Sequence, residues 1–482
     1  MEYWNVRILE YWNVARQTCM RLQRRMMESG DTTILQSCNL VILQSCNLAI
    51  LQFSILTSPF PKPIMSKQTF QSFIAILFIL SGVTGLVYQI LWFKYLSLFL
   101  GNTTYAQTVV LSAFMAGLAI GSAVWGRKVD KSPRPLVLYG WLELSIGVYC
   151  LFYPWIISLV KTIFFETVAM FAFQSDGPAV LGLKLVVSLL TILPPTMLMG
   201  GTLPVLVKTV SETVEESGRN VAVLYFLNSF GAVVGSVLCG FFFIRLLGLS
   251  ATIYGGACVN LIIGCAAFYL SRRTPQRSQA FGTPSADDQR MFSKSETTAA
   301  VVVAGISGIA AMIYEVTWVR LLIPVFGSST FSFSLMLIAF ISGITIGSWL
   351  VSKLIHRIQD LFSFLWVCQL AVALGLCVSL PLYGRIPYIF WQLSTLLART
   401  DATYPIFLTL ECFFCFLIMA VPTIFLGMTL PIASRIATRD TATLGSSIGN
   451  VFSINTIGTV IGSLAAGLIL IPTVGVRHAI EV

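Results

Sequence analysis

Charge is scarce in this sequence. Of 482 residues only 10% are Asp, Glu, Lys or Arg, whereas 56% are apolar. A soluble globular domain carries about 25% charged residues, so the chain as a whole does not read as one. Histidine is scarcer still. His356 and His478 are the only two, which leaves little for haem or metal ligation, and no cofactor is expected. The sequence lacks a G-x-x-x-x-G-K-[ST] loop, which argues against ATP-driven transport by this chain. The net charge is +10, but the basic residues are scattered among apolar runs rather than gathered on one face, so nucleic acid is not an expected partner. Nor do the eleven cysteines form a disulfide framework. Cys150, Cys239, Cys258, Cys265, Cys368, Cys377, Cys412 and Cys415 fall inside apolar runs, where Cys behaves as a small hydrophobe. Cys412-x-x-Cys415 lies mid-run between phenylalanines, where the thiolate needed for redox or metal chemistry is disfavoured.

What is present is a series of long apolar runs. They begin at Met65 and are preceded by a leader of different character. In residues 1–64 the word Glu2-Tyr-Trp-Asn-Val6 recurs at Glu10–Val14, and Ile34-Leu-Gln-Ser-Cys-Asn-Leu40 recurs at Ile42–Leu48. A period of eight suits no solenoid or coiled coil. The same period in two unrelated words points instead to a tandem repeat in the DNA, with Met65 as the expected start; a signal-like or amphipathic segment at 34–57 is the alternative.

From there, runs near 70–98, 105–125, 136–157, 180–207, 221–246, 250–270, 299–325, 330–352, 362–383, 404–433 and 445–472 each approach or exceed the ~20 residues needed to cross a bilayer. The lipid bilayer is therefore the expected surrounding. With the N-terminus inside, the inner loops hold 15 Lys and Arg and the outer loops and span ends hold eight, so the excess of positive charge sets the N-terminus in the cytoplasm. A cell membrane, bacterial and inner, is the expected location.

The chain also repeats itself. Gly82 through Tyr88-Gln89, Trp92 and Lys94 match Gly308 through Tyr314-Glu315, Trp318 and Arg320 at an offset of 226. Pro195-Thr196-x-x-x-Gly200-x-Thr202-Leu203-Pro204 returns as Pro422-Thr423-x-x-x-Gly427-x-Thr429-Leu430-Pro431, and Asn228-x-x-Gly231-x-x-x-Gly235 as Asn455-x-x-Gly458-x-x-x-Gly462, both at 227. Each unit holds an even number of spans, so the halves are parallel repeats. The expected fold is an all-α polytopic bundle of major-facilitator type, two repeats of six spans with the twelfth missing before Val482. The expected divisions are a leader at 1–64, a first half at 65–272, a cytoplasmic linker at 273–298 and a second half at 299–482. The word Gly126-x-x-x-Asp130-Lys131-x-x-Arg134 between spans 2 and 3 resembles the loop signature of that superfamily.

Ser81-Gly-x-x-Gly-Leu-Val-Tyr88-Gln-x-x-Trp92, Gly101, Tyr105-Ala106, Ala113-Phe-Met-Ala-Gly117-Leu-Ala119 and Gly121 resemble the membrane part of spermidine-synthase-like integral membrane proteins, over roughly residues 70–480. The resemblance implies a facilitator-type bundle joined to a cytoplasmic aminopropyltransferase domain, in cis or in trans. Gln89 stands where that family usually has an acid. No Gly-rich, Asp-containing loop on a strand–helix unit occurs in the sequence, so this chain is not expected to catalyse aminopropyl transfer.

Charged groups inside the spans are the candidate functional residues, because an ionised side chain there is costly and usually faces the bundle interior or water. Glu315, with Tyr314 and Trp318 and the paired Tyr88, Gln89 and Trp92, forms a candidate acidic, aromatic cavity for a polyamine or other organic cation. By the repeat, Lys184 corresponds to Glu411 and Glu143 to Gln369. Lys184 and Glu411 are expected to meet across the pseudo-twofold axis as a latch or a static pair. Glu143 is expected to serve either as a gate together with the Asp130 and Arg134 loop or as a proton site.

Overall fold

The computed structural model describes residues 65–100, 104–170, 178–273, 292–326, 330–396 and 403–481. The chain divides into two units, Met1–Ile64 and Met65–Val482; the expectations for the leader and for most of the 273–298 linker lie outside the described residues. Backbone N–H and C=O groups in lipid must pair within their own segment, and every described element is a helix. They are α1 (Lys67–Leu100), α2 (Thr104–Asp130), α3 (Pro135–Met170), α4 (Pro178–Val210), α5 (Val214–Val237), α6 (Ile244–Arg273), α7 (Lys294–Phe326), α8 (Thr330–Leu354), α9 (Leu361–Tyr383), α10 (Ile386–Leu396), α11 (Tyr404–Ala437), α12 (Leu444–Leu464) and α13 (Ile471–Glu481). Among the described residues ten segments are long and apolar enough to span a membrane; one of them, Val214–Arg273, contains both α5 and α6. This is a multi-pass membrane protein. Its outer surface carries large apolar side chains such as Trp155, Leu190 and Val378, which lipid rather than water would cover.

Helix starts at the ends rich in Lys and Arg, termed here the basic end, follow capping chemistry. Ser293 caps α7 reciprocally, its Oγ accepting from Glu296 N at 3.1 Å while its own N–H donates to Glu296 Oε2 at 2.7 Å. Asp360 caps α9 through Phe362 N and Ser363 N at 3.0 and 3.1 Å.

The duplication read from the sequence is a duplication in space. A Cβ on Gly82 would overlap the Asn228 carbonyl of α5, and one on Gly308 would overlap the Asn455 carbonyl of α12. Gly117 takes the Thr196 hydroxyl against its Cα as Gly343 takes that of Thr423. At Gly82 and Gly308 the helices meet backbone to backbone, and at Gly117 and Gly343 a threonine fills the space of the absent side chain, the close approach that small residues permit. Both halves also widen by a π-turn, at Leu238–Phe243 and Ala465–Leu470, and then break at a glycine with positive φ, Gly248 at 77° and Gly475 at 81°.

Prolines inside the spans shift hydrogen bonds instead of ending helices. Pro195 removes the N–H that would serve the Thr191 carbonyl. The Tyr149 hydroxyl of α3 donates to that carbonyl at 2.7 Å and replaces it. The seam between halves is lined with small residues. Along α2 and α12, Gly126 faces Gly445 and Gly449, Ser112 hydrogen-bonds Ser463 at 2.7 Å, and Thr108 lies against Gly467. The short helix α10 was not read from the sequence, which left 384–403 as a connection.

Candidate functional site

A cleft opens between the halves, away from the basic end. The space between its walls is about 570 Å³, much of it open solvent at the mouth. Gln89, Trp92 and Phe93 of α1, Phe114 of α2 and Ile192 of α4 face Glu315, Val319 and Arg320 of α7 and Phe333 of α8. The stacked rings of Phe93 and Phe333, 4.7 Å apart, bridge the two halves at its edge. Of the expected cavity residues, Gln89, Trp92 and Glu315 thus share one space. Glu315 is 6% exposed and, among the described residues, has neither a hydrogen bond nor an ion pair. Trp92 is fully buried by Tyr88, Phe114 and Tyr153, yet its Nε1–H has no acceptor. A carboxylate and a ring N–H left unpaired next to an aromatic wall are what a polar ligand would satisfy.

The other three aromatics of the expected set turn elsewhere. Tyr88 stacks on Trp92 at 5.6 Å but directs its hydroxyl to Asn260 of α6, donating to Oδ1 at 2.8 Å. Trp318 packs edge-on against Tyr383 of α9 at 4.8 Å, and Tyr314 faces Tyr383 and Cys377. The pattern Tyr-x-x-x-Trp is shared by both halves, but only the first-half Trp reaches the cleft.

Glu143 sits fully buried where α1, α3 and α6 meet. Ser81 Oγ donates to its Oε1 at 2.7 Å and Asn260 Nδ2 to its Oε2 at 2.5 Å. The Tyr139 hydroxyl lies beside it, outside hydrogen-bond geometry. Gln369, its counterpart in the repeat, donates from Nε2 to Thr429 Oγ1 at 2.8 Å.

Glu143 therefore does not join the Asp130 loop. Asp130 closes a different contact, at the basic end and between the halves. Its Oδ1 accepts from Gly445 N at 2.8 Å and its Oδ2 from Ser446 N at 2.7 Å, both in the first turn of α12, where the helix dipole favours an anion. Lys208 Nζ pairs with Oδ1 at 3.2 Å and also donates to the carbonyls of Thr441 and Ala442. Arg134 is exposed at the start of α3. The latch expected of Lys184 and Glu411 is not formed among the described residues. The Lys184 ammonium lies 6.0 Å from the Phe164 ring centroid, a reach its long flexible stem allows. Glu411 is 2% exposed and, among the described residues, joins no ion pair.

Sequence reading missed Asn260, Lys208 and the Phe93–Phe333 pair, held Ser81 only as a motif position, and gave Arg320 as a candidate partner of Glu315. Asn260 had a legible signal as a lone amide in the apolar run 250–270. Lys208 was counted as a loop charge.

No family model matches the sequence. A curated polyamine aminopropyltransferase from Oceanobacillus iheyensis is 23% identical over 193 residues, which is 40% of this chain and 34% of that protein. The chain thus matches about a third of the length of that relative. Among solved structures, the major facilitator superfamily transporter FucP in its outward conformation aligns with a TM-score of 0.50 at 15% identity, over 85% of this chain and 93% of that one. The human organic anion transporter MFSD10 (TETRAN) aligns at 0.48 and 13% identity over 85% and 96%, and a bacterial homolog of the human lysosomal transporter Spinster, inward-facing, at 0.49 and 12% over 87% and 87%. With the helix order and the doubled contacts described above, the FucP likeness defines the class. The fold is a major-facilitator-type bundle.

Proposed function

We propose that this protein is a secondary transporter, or at least a membrane binder, of organic cations such as polyamines, with the inter-half cleft as its binding site. The observation that carries this reading is the buried Glu315 carboxylate, unpartnered and facing the same space as Trp92. A primary or secondary ammonium would supply both the missing countercharge and a cation for the indole face. The Asp130–Lys208–α12 contact acts as the gate at the basic end, which the count of Lys and Arg assigns to the cytoplasm of a cell membrane. On this reading the chain carries no aminopropyltransferase chemistry of its own.

The test is equilibrium binding of radiolabelled spermidine to the full chain in lipid nanodiscs, compared with E315Q. Charged hydrogen bonds contribute about 1.5–3 kcal/mol, so E315Q should weaken binding roughly ten- to hundredfold. Equal affinities in the two proteins would refute the assignment.

The partial likeness to a polyamine aminopropyltransferase favours a second reading, a membrane module acting beside such an enzyme in cis or in trans. Aminopropyltransferase activity that co-purifies with the native membrane protein, and that survives E315Q, would support this module over a transporter.

A further inference from the structure

Glu143 is a carboxylate with hydrogen-bond donors but no countercharge. Ser81 and Asn260 point their hydrogens at its two oxygens, as they would at an ionised group. The groups that face it are Tyr139 from its own helix α3, Ser81 from α1 and Asn260 from α6, and none of the groups acting on it is basic. Tyr88 of α1 acts on it from behind Asn260, with Cys150 and Cys258 acting in turn on the Tyr88 hydroxyl. The described ion pairs do not include it. A buried charge left without a partner is costly, and the bundle does not require one at this position. In the second half, Gln369 fills the same place with a neutral amide bonded to Thr429.

We propose that Glu143 is a proton-binding site, coupled to the cleft through Asn260, Tyr88 and Trp92. The coupling follows from hydrogen-bond directions. In the ionised state Asn260 donates to Glu143 and accepts from Tyr88. A proton taken up on Oε2 turns that oxygen into a donor. Asn260 must then turn its amide over to accept it, and presents Nδ2 to Tyr88 in place of Oδ1. The Tyr88 hydroxyl changes from donor to acceptor, and its ring is the one stacked on Trp92 at the cleft wall. The proton site stands on the Glu143 geometry alone; the coupling rests on the reading of the cleft as a substrate site.

Infrared difference spectra of the full chain in lipid vesicles, taken over a series of pH values, test the site directly. A carboxylic-acid carbonyl component that appears and disappears with pH is expected in the native protein and in E315Q and is lost in E143Q, where only the components of the other buried carboxyls, Glu315 and Glu411, remain. The glutamine keeps a donor and an acceptor at this position, so the network re-forms in the orientation of the protonated state. In the same vesicles an imposed pH gradient should stimulate spermidine uptake by the native protein, and that stimulation should be lost in E143Q. Should E143Q fail to fold, Y88F keeps the carboxyl band and loses the stimulation. A band unchanged in E143Q, the absence of any pH-dependent band in the native protein, or gradient stimulation that survives both variants would overturn the proposal. If the native protein takes up no spermidine, the cleft reading fails, and the infrared result alone decides the proton site.

Discussion

Replacing Asp130 with Asn tests the gate proposed at the basic end. The two carboxylate oxygens serve two backbone N–H groups of α12, at 2.8 and 2.7 Å, and the Lys208 ammonium at 3.2 Å. Asn keeps a single acceptor oxygen, so one of the two N–H groups loses its partner, and the new NH2 must face an N–H or an ammonium. The charge that favoured the start of α12 is also gone. One charge-assisted hydrogen bond contributes about 1.5–3 kcal/mol, and Asp130 is largely buried, with 12% of its side chain exposed, so screening removes little of it. The ratio of closed to open basic ends should fall roughly ten- to hundredfold. Spin labels on cysteines placed at Lys128 and Thr443, in a background without other accessible cysteines, report this separation by pulsed electron resonance. D130N should move population to longer distances. A distance distribution that superimposes on that of the parent would refute the latch.

Two further changes test the same map. G445A places a Cβ against Val129, the Gly126 carbonyl and the Asp130 carboxylate; overpacking of this kind costs about 1–3 kcal/mol, so the same label pair should lengthen as it does in D130N, although the charge of Asp130 is retained. W92F keeps the packing against Tyr88 but removes the unpaired indole N–H and weakens the cation–π face. With such contacts contributing about 0.5–2 kcal/mol, spermidine affinity should fall roughly two- to thirtyfold in the nanodisc assay, and an unchanged affinity would mean that Trp92 only packs.

The sequence carried the frame of the bundle further than its chemistry. Offsets of 226 and 227 identified pairs such as Gly82/Gly308 and Gly231/Gly458, and the same pairs are backbone contacts within the two halves. They were legible because only a missing side chain permits that approach, and a missing side chain leaves a mark in sequence. The partners of Asp130 left no such mark, since they are backbone N–H groups that any residue could supply. Tyr88 and Tyr314 occupy equivalent positions and were read as a pair. Asn260 draws the first toward α6, while the second turns toward Tyr383 of α9. Repeat symmetry predicts where a Cα goes; the direction of a side chain depends on which neighbour offers a hydrogen bond. Lys184 likewise has a stem long enough to leave its symmetry mate and settle near Phe164.

The small-residue lining of the α2–α12 seam separates two quantities that interlocked side chains would tie together. Where large side chains interdigitate, sliding one helix past another forces each out of its pocket, and the same contacts set both the resting position and the height of the barrier. Gly126, Gly445, Gly449 and Gly467 offer no such teeth. On the gating proposed above, equilibrium is set at the basic end, by Asp130 and Lys208 and by the buried cluster that Val129 shares with Leu444 and Ile448, while the glycine contacts put few side chains in the way of sliding. Substitutions at the latch should change the ratio of the two states, whereas bulk added at Gly467, away from the latch, should slow the crossing in both directions.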